Sequence, residues 1–557
     1  MKLMRNCFLP ILAVLFTLVC NGQLYNNGSS IKIQPGAYLF VGGDVVNTNS
    51  GTIINDGKLE VQGNFTNSAT YNSATSDDSL LLTGGGDVTL NGGTSTLNYL
   101  TINKTVNSNK VTLTGSTLLG TKLDYLSGNF STDPIANPLY VLSAPVAAVF
   151  NFSAGREITG NVKRTSWVNG TSVMFNQPNM LVKTNAGTAP VDFTVTMIPQ
   201  SAGGDPTQAE REVKRKFQFA NTGGSGFTAD ISFPYLTTEL NTNVEGNLVP
   251  WDLVSAEWNG RLTPITRDGT SHFVSTTGIT ATELANEWKL ADSKYSFNIT
   301  VFLRGAWNNG SGLMRNTLNT GGLLPLSQPY TGAPFNYAGT ESVASIPNSN
   351  IVDWVLIEYR KPSTGNPSDA NASSIVGRKA GFVLMNGNVV DLDGVTPITY
   401  DITKQGPGFI VVRHRNHLAI MSNILASNAA GTFSNDFSLL SNSYKNPTSL
   451  SDAVTVLSST APGINLYGLW PGDVNQNGSV TTTDLTPVNV AISGLPVVNT
   501  NIYDVKDVNL DKNVTTTDLT NVNFSIFNFA KSSTSKINPF ITNQPAVLVS
   551  QVPGEVK

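Results

Sequence analysis

The sequence predicts a mainly β, multidomain protein with an N-terminal β-solenoid-like region, β-sandwich-like middle domains and a small α-helical domain at the C-terminus. Three observations carry this reading. Only 13% of the 557 residues are charged while glycine alone numbers 50, a balance that suits strands joined by tight turns better than amphipathic helices. Near the N-terminus, short apolar segments recur at steps of 20 and 21 residues. Near the C-terminus, almost the same twelve-residue phrase is written twice, 34 residues apart.

The first residues address the compartment. Lys2 and Arg5 precede an apolar run over residues 8–19, too short for a bilayer span, and Cys20-Asn21-Gly22 offers a cleavage site before Gln23. A signal peptide over residues 1–22 is therefore expected. Cys20 raises the question of a lipid anchor, against which stands Val19, where small residues are preferred. Both cysteines, Cys7 and Cys20, would leave with the signal, so the exported chain would hold no disulfide. No second long apolar stretch follows, and no transmembrane span is expected. The chain reads as secreted or extracellular, with attachment to the cell surface left open. A net charge of −4 argues against nucleic acid as a partner.

Residues 23–137 repeat weakly. Leu39-Phe40-Val41-Gly42-Gly43-Asp44-Val45 aligns with Leu59-Glu60-Val61-Gln62-Gly63-Asn64-Phe65, and Leu80-Leu81-Leu82 follows. Alternating strands at this period suit the coils of a parallel β-solenoid, with meander hairpins as the alternative. Residues 138–296 carry longer mixed strands and read as a β-sandwich-like domain. A second β-rich module is expected over 297–430, a linker over 431–466, a small domain over 467–530 and a tail over 531–557. The phrases IVDWVLIEYR and FIVVRHRNHLAIMS lie in the second module. That module resembles one found in secreted proteins of the Bacteroidetes group labelled adhesin or haemagglutinin, a resemblance that implies no biochemical activity.

His414-Arg415-Asn416-His417 is the most chemically suggestive phrase there. Two imidazoles at i and i+3 share a face on a helix and could hold a metal. Apolar runs enter and leave, however, so a hairpin turn with structural hydrogen bonds is favoured. Arg413, His414, Arg415 and His417 could instead contact an anion or acidic sugar. Asp391 and Asp393 before Gly394 read as a turn. Asp353 and Glu358 are the candidate acids for glycoside hydrolysis, but a spacing of five puts them on opposite faces of one strand. Trp307, Tyr330, Trp354 and Tyr359 could stack on sugars, though core positions are the plainer reading. No nucleophile elbow, zinc-protease helix or phosphate loop appears, so no catalytic residue is assigned.

The repeated phrase is DVNQNGSVTTTD at 473–484 and DVNLDKNVTTTD at 507–518. A hard cation such as Ca²⁺ takes six to eight oxygens, and a twelve-residue loop offers them from positions 1, 3, 5, 7, 9 and 12. The first copy supplies Asp473, Asn475, Asn477, the Ser479 carbonyl, Thr481 and Asp484. The second supplies Asp507, Asn509, Asp511, the Asn513 carbonyl, Thr515 and Asp518. Two calcium ions are expected. Gly478 occupies the sharp turn at position 6, where the second copy has Lys512, a residue that needs an uncommon backbone conformation there. Leu485, Val488 and Ile492 follow the first loop, and Leu519, Val522 and Ile526 the second, each trio forming one helix face. Gly494 and Pro496 read as a stop, and Pro487 as an irregularity. No helix precedes either loop, so each copy is half of an EF-hand-like unit and the two should pack as a pair.

On these residues the chain over 467–529 resembles a dockerin-type domain. That family is typically extracellular and docks polysaccharide-degrading enzymes onto cohesin modules. Partner choice in it is associated with loop positions 10 and 11, here Thr482, Thr483, Thr516 and Thr517. The resemblance implies a cohesin-like partner or an intramolecular module, against the plainer reading that calcium simply folds a terminal domain. Two function classes follow: a secreted calcium-binding adhesive or structural protein that contacts an extracellular glycan, or a polysaccharide-degrading enzyme bearing a dockerin-like tail. The lack of a catalytic constellation favours the first.

Overall fold

The computed structural model describes residues 22–72, 79–199, 211–445, 452–461, 464–494 and 499–532. The predicted signal peptide up to Asn21 and the tail beyond Ser532 lie outside the described residues. The chain is mostly β, with 45% strand and 11% helix, and begins with a β-solenoid of about 6 turns. It divides into two units: Met1–Pro199 with Lys216–Ser232 and Thr277–Ala285, and Gln200–Arg215 with Phe233–Thr276 and Asn286–Lys557.

In the first unit the solenoid arises because parallel strands a fixed number of residues apart bring like side chains into register. Tyr38–Val41 pairs with Lys58–Val61, which pairs with Ser79–Leu82, all in parallel. Leu39 thus stands beside Leu59, and Leu59 beside Leu80, as the aligned phrases predicted. The row continues through Leu100, Leu123 and Phe150. A second face stacks Val45, Phe65, Leu90 and Leu113, each fully buried. A third joins Ser30–Ile33, Thr52–Asn55 and Thr70–Asn72. Such rows form a continuous core that no single coil could bury alone, at roughly 1.5–3 kcal/mol per fully buried aliphatic side chain.

One coil corner is held by polar side chains. Asn26, Asn47 and Asn67 are buried and stacked: Asn26 Nδ2 donates to Asn47 Oδ1 at 2.9 Å and Asn47 Nδ2 to Asn67 Oδ1 at 2.7 Å. Each amide thereby meets the demand that buried polar groups be paired.

Parallel pairing runs past residue 137: Leu142–Pro145 pairs in parallel with Ile158–Thr165. Asp192–Pro199 then adds antiparallel to Ile158–Thr165 and ends the parallel ladder. Beside it, Leu181–Asn185 pairs with residues 228–232, and Trp167, Phe175, Phe193 and Phe219 form an aromatic cluster with neighbouring rings 5.4–6.2 Å apart. Residues 138–296, read from the sequence as one domain, are shared between the units. Pairing is non-local there: in the second unit Leu248–Val254 joins Glu287–Asp292, which a linear segmentation does not see.

The second unit is built on the strand Ile351–Arg360, all ten residues of which are buried. It lies between Ile375–Leu384 and Phe409–Arg413, both antiparallel to it. Phe297 stacks on Tyr400 at 4.4 Å and on Phe433 at 5.3 Å, and Tyr359 packs on Phe433 at 4.5 Å. Residues 431–466, read from the sequence as a linker, contain strands. Thr432–Asp436 is a strand parallel to Lys294–Thr300, and Val454–Ala461 pairs antiparallel with Ile464–Leu469. The polar sequence TFSND conceals the first of these, because its stability comes from a partner far away in the chain.

Two helices close the second unit, α1 (Thr482–Ser493) and α2 (Thr516–Phe527). Thr481 and Thr515 are their N-caps, with Asp484 and Asp518 completing capping boxes. Pro487 sits inside α1 beyond the first turn, and Gly494 ends that helix. Val474, Val480 and Val488 and their counterparts Val508, Val514 and Val522 share one core, with Leu485, Ile492, Leu519 and Ile526 packed against it. The two copies pack as a pair through the faces read from the sequence. No helix among the described residues is long and apolar enough to cross a membrane.

Candidate functional site

The two repeated loops have the same local architecture, because the same residue types sit at the same offsets. Gly478 N donates to Asp473 Oδ2 at 3.1 Å, and Lys512 N to Asp507 Oδ2 at 2.8 Å. Ser479 N reaches Asn477 Oδ1 at 3.0 Å, and Asn513 N reaches Asp511 Oδ1 at 3.0 Å. The closing carboxylates bridge loop and helix. Asp484 accepts from Asn475 N at 3.0 Å and Thr481 N at 2.9 Å, and Asp518 from Asn509 N at 3.1 Å and Thr515 N at 2.8 Å. Gly478 has φ +83° and Lys512 φ +72°, so the lysine adopts the left-handed conformation that glycine takes freely.

The electrostatics of these loops suit a cation. Burial, together with the charge of Asp484, pushes the Asp473 carboxyl well above the usual carboxylate range. Burial likewise raises Asp484 and Asp518. Burial raises Asp507 to about 7, Asp518 adding to the effect and Arg415 opposing it. Asp473 Oδ1 is buried with no hydrogen-bond partner. Buried like charges are unfavourable unless a cation or proton compensates them. Among the described residues no three His, Cys, Asp or Glu side chains gather as a metal cluster, so a cation here would draw on amide, hydroxyl and carbonyl oxygens as well. That donor set is chemically suited to a hard divalent ion and unsuited to zinc.

The His414 to His417 phrase lies at the hairpin between Phe409–Arg413 and Ile420–Met421, but it is no solvated turn. All four residues are at most 5% exposed, and they join the second module to both loops. Asn416 Nδ2 donates to the carbonyls of Val505 at 3.0 Å and Asp507 at 2.7 Å. Arg415 Nη1 donates to the Asp504 carbonyl, and its guanidinium lies 4.2 Å from the Tyr503 ring centre. On the first copy, Gln476 Nε2 donates to the Arg415 carbonyl at 2.5 Å and Gly472 N to the Asn416 carbonyl at 2.9 Å. Arg315 Nη2 adds a bond to the Asn509 carbonyl at 3.1 Å.

Both imidazoles are fully engaged. His414 Nε2 donates to Asp353 Oδ2 at 3.2 Å, which leaves its Nδ1 to accept from Asn416 N at 3.4 Å, and His417 Nδ1 donates to Asn416 Oδ1 at 2.8 Å with His414 Nδ1 3.1 Å away. His417 Nε2 accepts from Gly305 N at 3.1 Å. Burial lowers both pKa values, so both rings are neutral at pH 7. The pair therefore performs structural hydrogen bonding. A metal or a surface anion would have to displace these contacts.

The candidate acids are likewise structural. Asp353 is fully buried, bonded by Arg415 Nε at 2.9 Å and Tyr503 OH at 2.8 Å. Burial alone would raise its pKa, but Arg415 and His414 hold it at about 2. Glu358 is buried with its own partners, Arg360 Nη2 at 2.6 Å and Arg413 Nε at 3.1 Å. These are separate ion-paired sites, without the shared cleft that a hydrolytic pair requires. Asp391 pairs with Lys379 at 2.7 Å and Asp393 accepts from Val395 N and Thr396 N at 2.9 Å, a turn as expected. Tyr330, Trp354 and Tyr359 are core residues at 0% exposure, and only Trp307 is half-buried.

Comparison of the chain with protein-family models, with curated proteins and with solved structures finds no match.

Proposed function

We propose that the chain is an exported, calcium-binding adhesive or structural protein. In this reading a solenoid and β-sandwich-like middle region, with a second β module, carry a dockerin-like C-terminal domain that binds two Ca²⁺ ions. The observation that carries it is the buried, unpartnered Asp473 Oδ1 beside Asp484, in a loop whose amide bonds to the first and last carboxylates recur around Asp507 and Asp518, although there Asp507 Oδ1 accepts from Asp511 N at 3.1 Å. Asp473, Asn475, Asn477, Ser479, Thr481 and Asp484 would hold one ion. Asp507, Asn509, Asp511, Asn513, Thr515 and Asp518 would hold the other. The ion's role is charge compensation that lets buried carboxylates fold.

The partner that the contacts favour is intramolecular. The His414 to His417 hairpin grips both loops through backbone carbonyls and amides, so the loop–helix pair docks on its own module. Thr482, Thr483, Thr516 and Thr517 are exposed and remain open to a cohesin-like protein. An extracellular glycan suits the adhesive role. The polysaccharide-degrading alternative is disfavoured by the burial and ion pairing of Asp353 and Glu358. Incubating the chain from residue 23 onward with a panel of polysaccharides tests it. No new reducing ends are expected, and sustained turnover would overturn the non-catalytic reading.

A further inference from the structure

We propose that a pocket of about 260 Å³ beside the second loop binds an anionic sugar unit, a pyranose ring bearing a carboxylate or sulfate. The proposal deepens the adhesive reading, on whose glycan partner it rests, and gives that partner a chemistry. The pocket is lined by Arg304, Trp307, Asn309 and Arg315 of the β module and by Thr517 and Asn521 of α2. It borders the His414 to His417 turn through Gly305, whose N–H donates to His417 Nε2 at 3.1 Å, but the cationic residues of that turn are themselves buried and engaged.

Charge is the first argument. Both guanidiniums make only neutral contacts. Arg304 Nη1 faces Asn521 Oδ1 at 3.4 Å, and its carbon lies 4.2 Å from the Phe524 ring centre. Arg315 Nη2 donates to the carbonyls of Gly305 at 2.7 Å and Asn509 at 3.1 Å, and its Nε is buried with no hydrogen-bond partner. Among the described residues neither arginine forms an ion pair. Burial lowers the Arg304 pKa, so the site is already desolvated around a cation that an anion would satisfy. Two guanidiniums with donors to spare recognise a carboxylate or sulfate, which accepts paired N–H bonds.

Shape and lining are the second. The volume is below the ~300–1,000 Å³ of drug-sized pockets, which suits one ring. Trp307 is half-buried and held in place by the Trp307–Asn308 and Leu313–Met314 hairpin and by Phe302, 5.2 Å away. Its indole offers the flat apolar wall against which a sugar face packs. Asn309, Thr517 and Asn521 add polar groups to the lining; Asn309 Oδ1 accepts from Trp307 Nε1 at 2.8 Å and Asn521 Nδ2 donates to the Thr517 carbonyl at 2.9 Å, so a sugar hydroxyl would share or replace these bonds.

The test is calorimetry on the chain from residue 23 onward at saturating calcium, with D-glucuronate, D-glucose and sodium sulfate as probes. Glucuronate should bind at least about ten-fold more tightly than glucose or sulfate, since both the anion and the ring contribute. Arg304→Gln should weaken glucuronate about ten-fold. Trp307→Ala should weaken glucuronate and leave sulfate unchanged. Where Arg304→Gln lowers the melting temperature, Arg304→Lys keeps charge and stem and should still weaken glucuronate several-fold, because the planar fork is lost. Equal binding of glucose and glucuronate, sulfate binding as tight as glucuronate, or unchanged affinity in both Arg304 variants would overturn the proposal. Two calcium ions in a titration without glucuronate binding would sink this pocket and leave the calcium reading standing. Glucuronate binding without any calcium uptake would do the reverse.

Discussion

Asn416 donates a 2.7 Å hydrogen bond from its side-chain amide to the backbone carbonyl of Asp507, the first residue of the second repeated loop. The same amide reaches the Val505 carbonyl at 3.0 Å. One side chain of a β hairpin therefore sets the entry of a loop some ninety residues away in sequence.

Removing it should be felt in both places. Asn416→Ala leaves two carbonyls in a buried setting without this donor, at about 1–3 kcal/mol for each that stays unpaired. The urea midpoint of the second unit, followed by tryptophan fluorescence, should fall accordingly. A change within about 0.5 kcal/mol would place the variant among ordinary surface substitutions and refute the role given to Asn416.

Asp353 is the counter-ion of that hairpin. Asp353→Ala strands the buried Arg415 guanidinium and removes the acceptor of Tyr503 OH, so a loss of about 3–5 kcal/mol is expected. Asp353 is held at about 2, so its contribution is present above the unfolded value near 4 and is lost only as pH falls toward about 2. Thermal melts of parent and variant measure the difference. Equal melting temperatures at pH 7 would contradict the assignment.

A separate decline should appear at milder acidity. His414 faces Asp353, Arg415 and His417, while His417 faces His414, Arg415 and Arg304, and burial keeps both rings neutral. The unfolded chain takes up these protons near pH 6.5 and the folded chain does not. This contribution is therefore complete above that pH and declines below it, as the unfolded chain binds protons that the buried rings resist. Urea midpoints at pH 7.5 and 5.5 for the parent and His417→Gln isolate the effect. The variant should lose less stability on acidification, and parallel profiles would be inconsistent with a neutral buried His417.

In the solenoid, Asn47 receives a bond from Asn26 and gives bonds to Asn67 and to the Thr70 carbonyl. Asn47→Ala should cost about 2 kcal/mol by removing the donor to Asn67 Oδ1 and to the Thr70 carbonyl and the acceptor of Asn26 Nδ2. Hydrogen exchange should show lost protection in the flanking coils. Unchanged exchange there would mean the asparagine stack is not a stabilising element.

The sequence discloses this fold unevenly, and the reasons are physical. Parallel coils place Leu39 beside Leu59 and Leu80, so simple alignment recovers their register. Helix faces are also local, which is why Leu485, Val488 and Ile492 were legible with their later counterparts. Asn26, Asn47 and Asn67 sit one coil apart, and the 20-residue step places Asn47 and Asn67 opposite each other, yet in a chain so rich in asparagine they carried no signal. The grip of Arg415 and Asn416 on residues 504–507 has no local trace, because a buried polar turn and an exposed one have the same composition. The strand Thr432–Asp436 escaped notice for the same reason, its pairing being with residues 296–300.

Lys512 offers a graded check on the second loop. It holds a left-handed backbone at φ +72°, which disfavours a side-chain-bearing residue by about 1 kcal/mol. Lys512→Gly should tighten the second calcium ion several-fold and leave the first unchanged. Equal affinities in parent and variant would show that the turn does not limit binding.

The central claim is met most directly by titrating calcium into the metal-free chain from residue 23 onward. Isothermal calorimetry should show two ions bound, with Asp473→Ala and Asp507→Ala each removing one. A flat titration of the folded parent, or a stoichiometry untouched by both substitutions, would contradict the account.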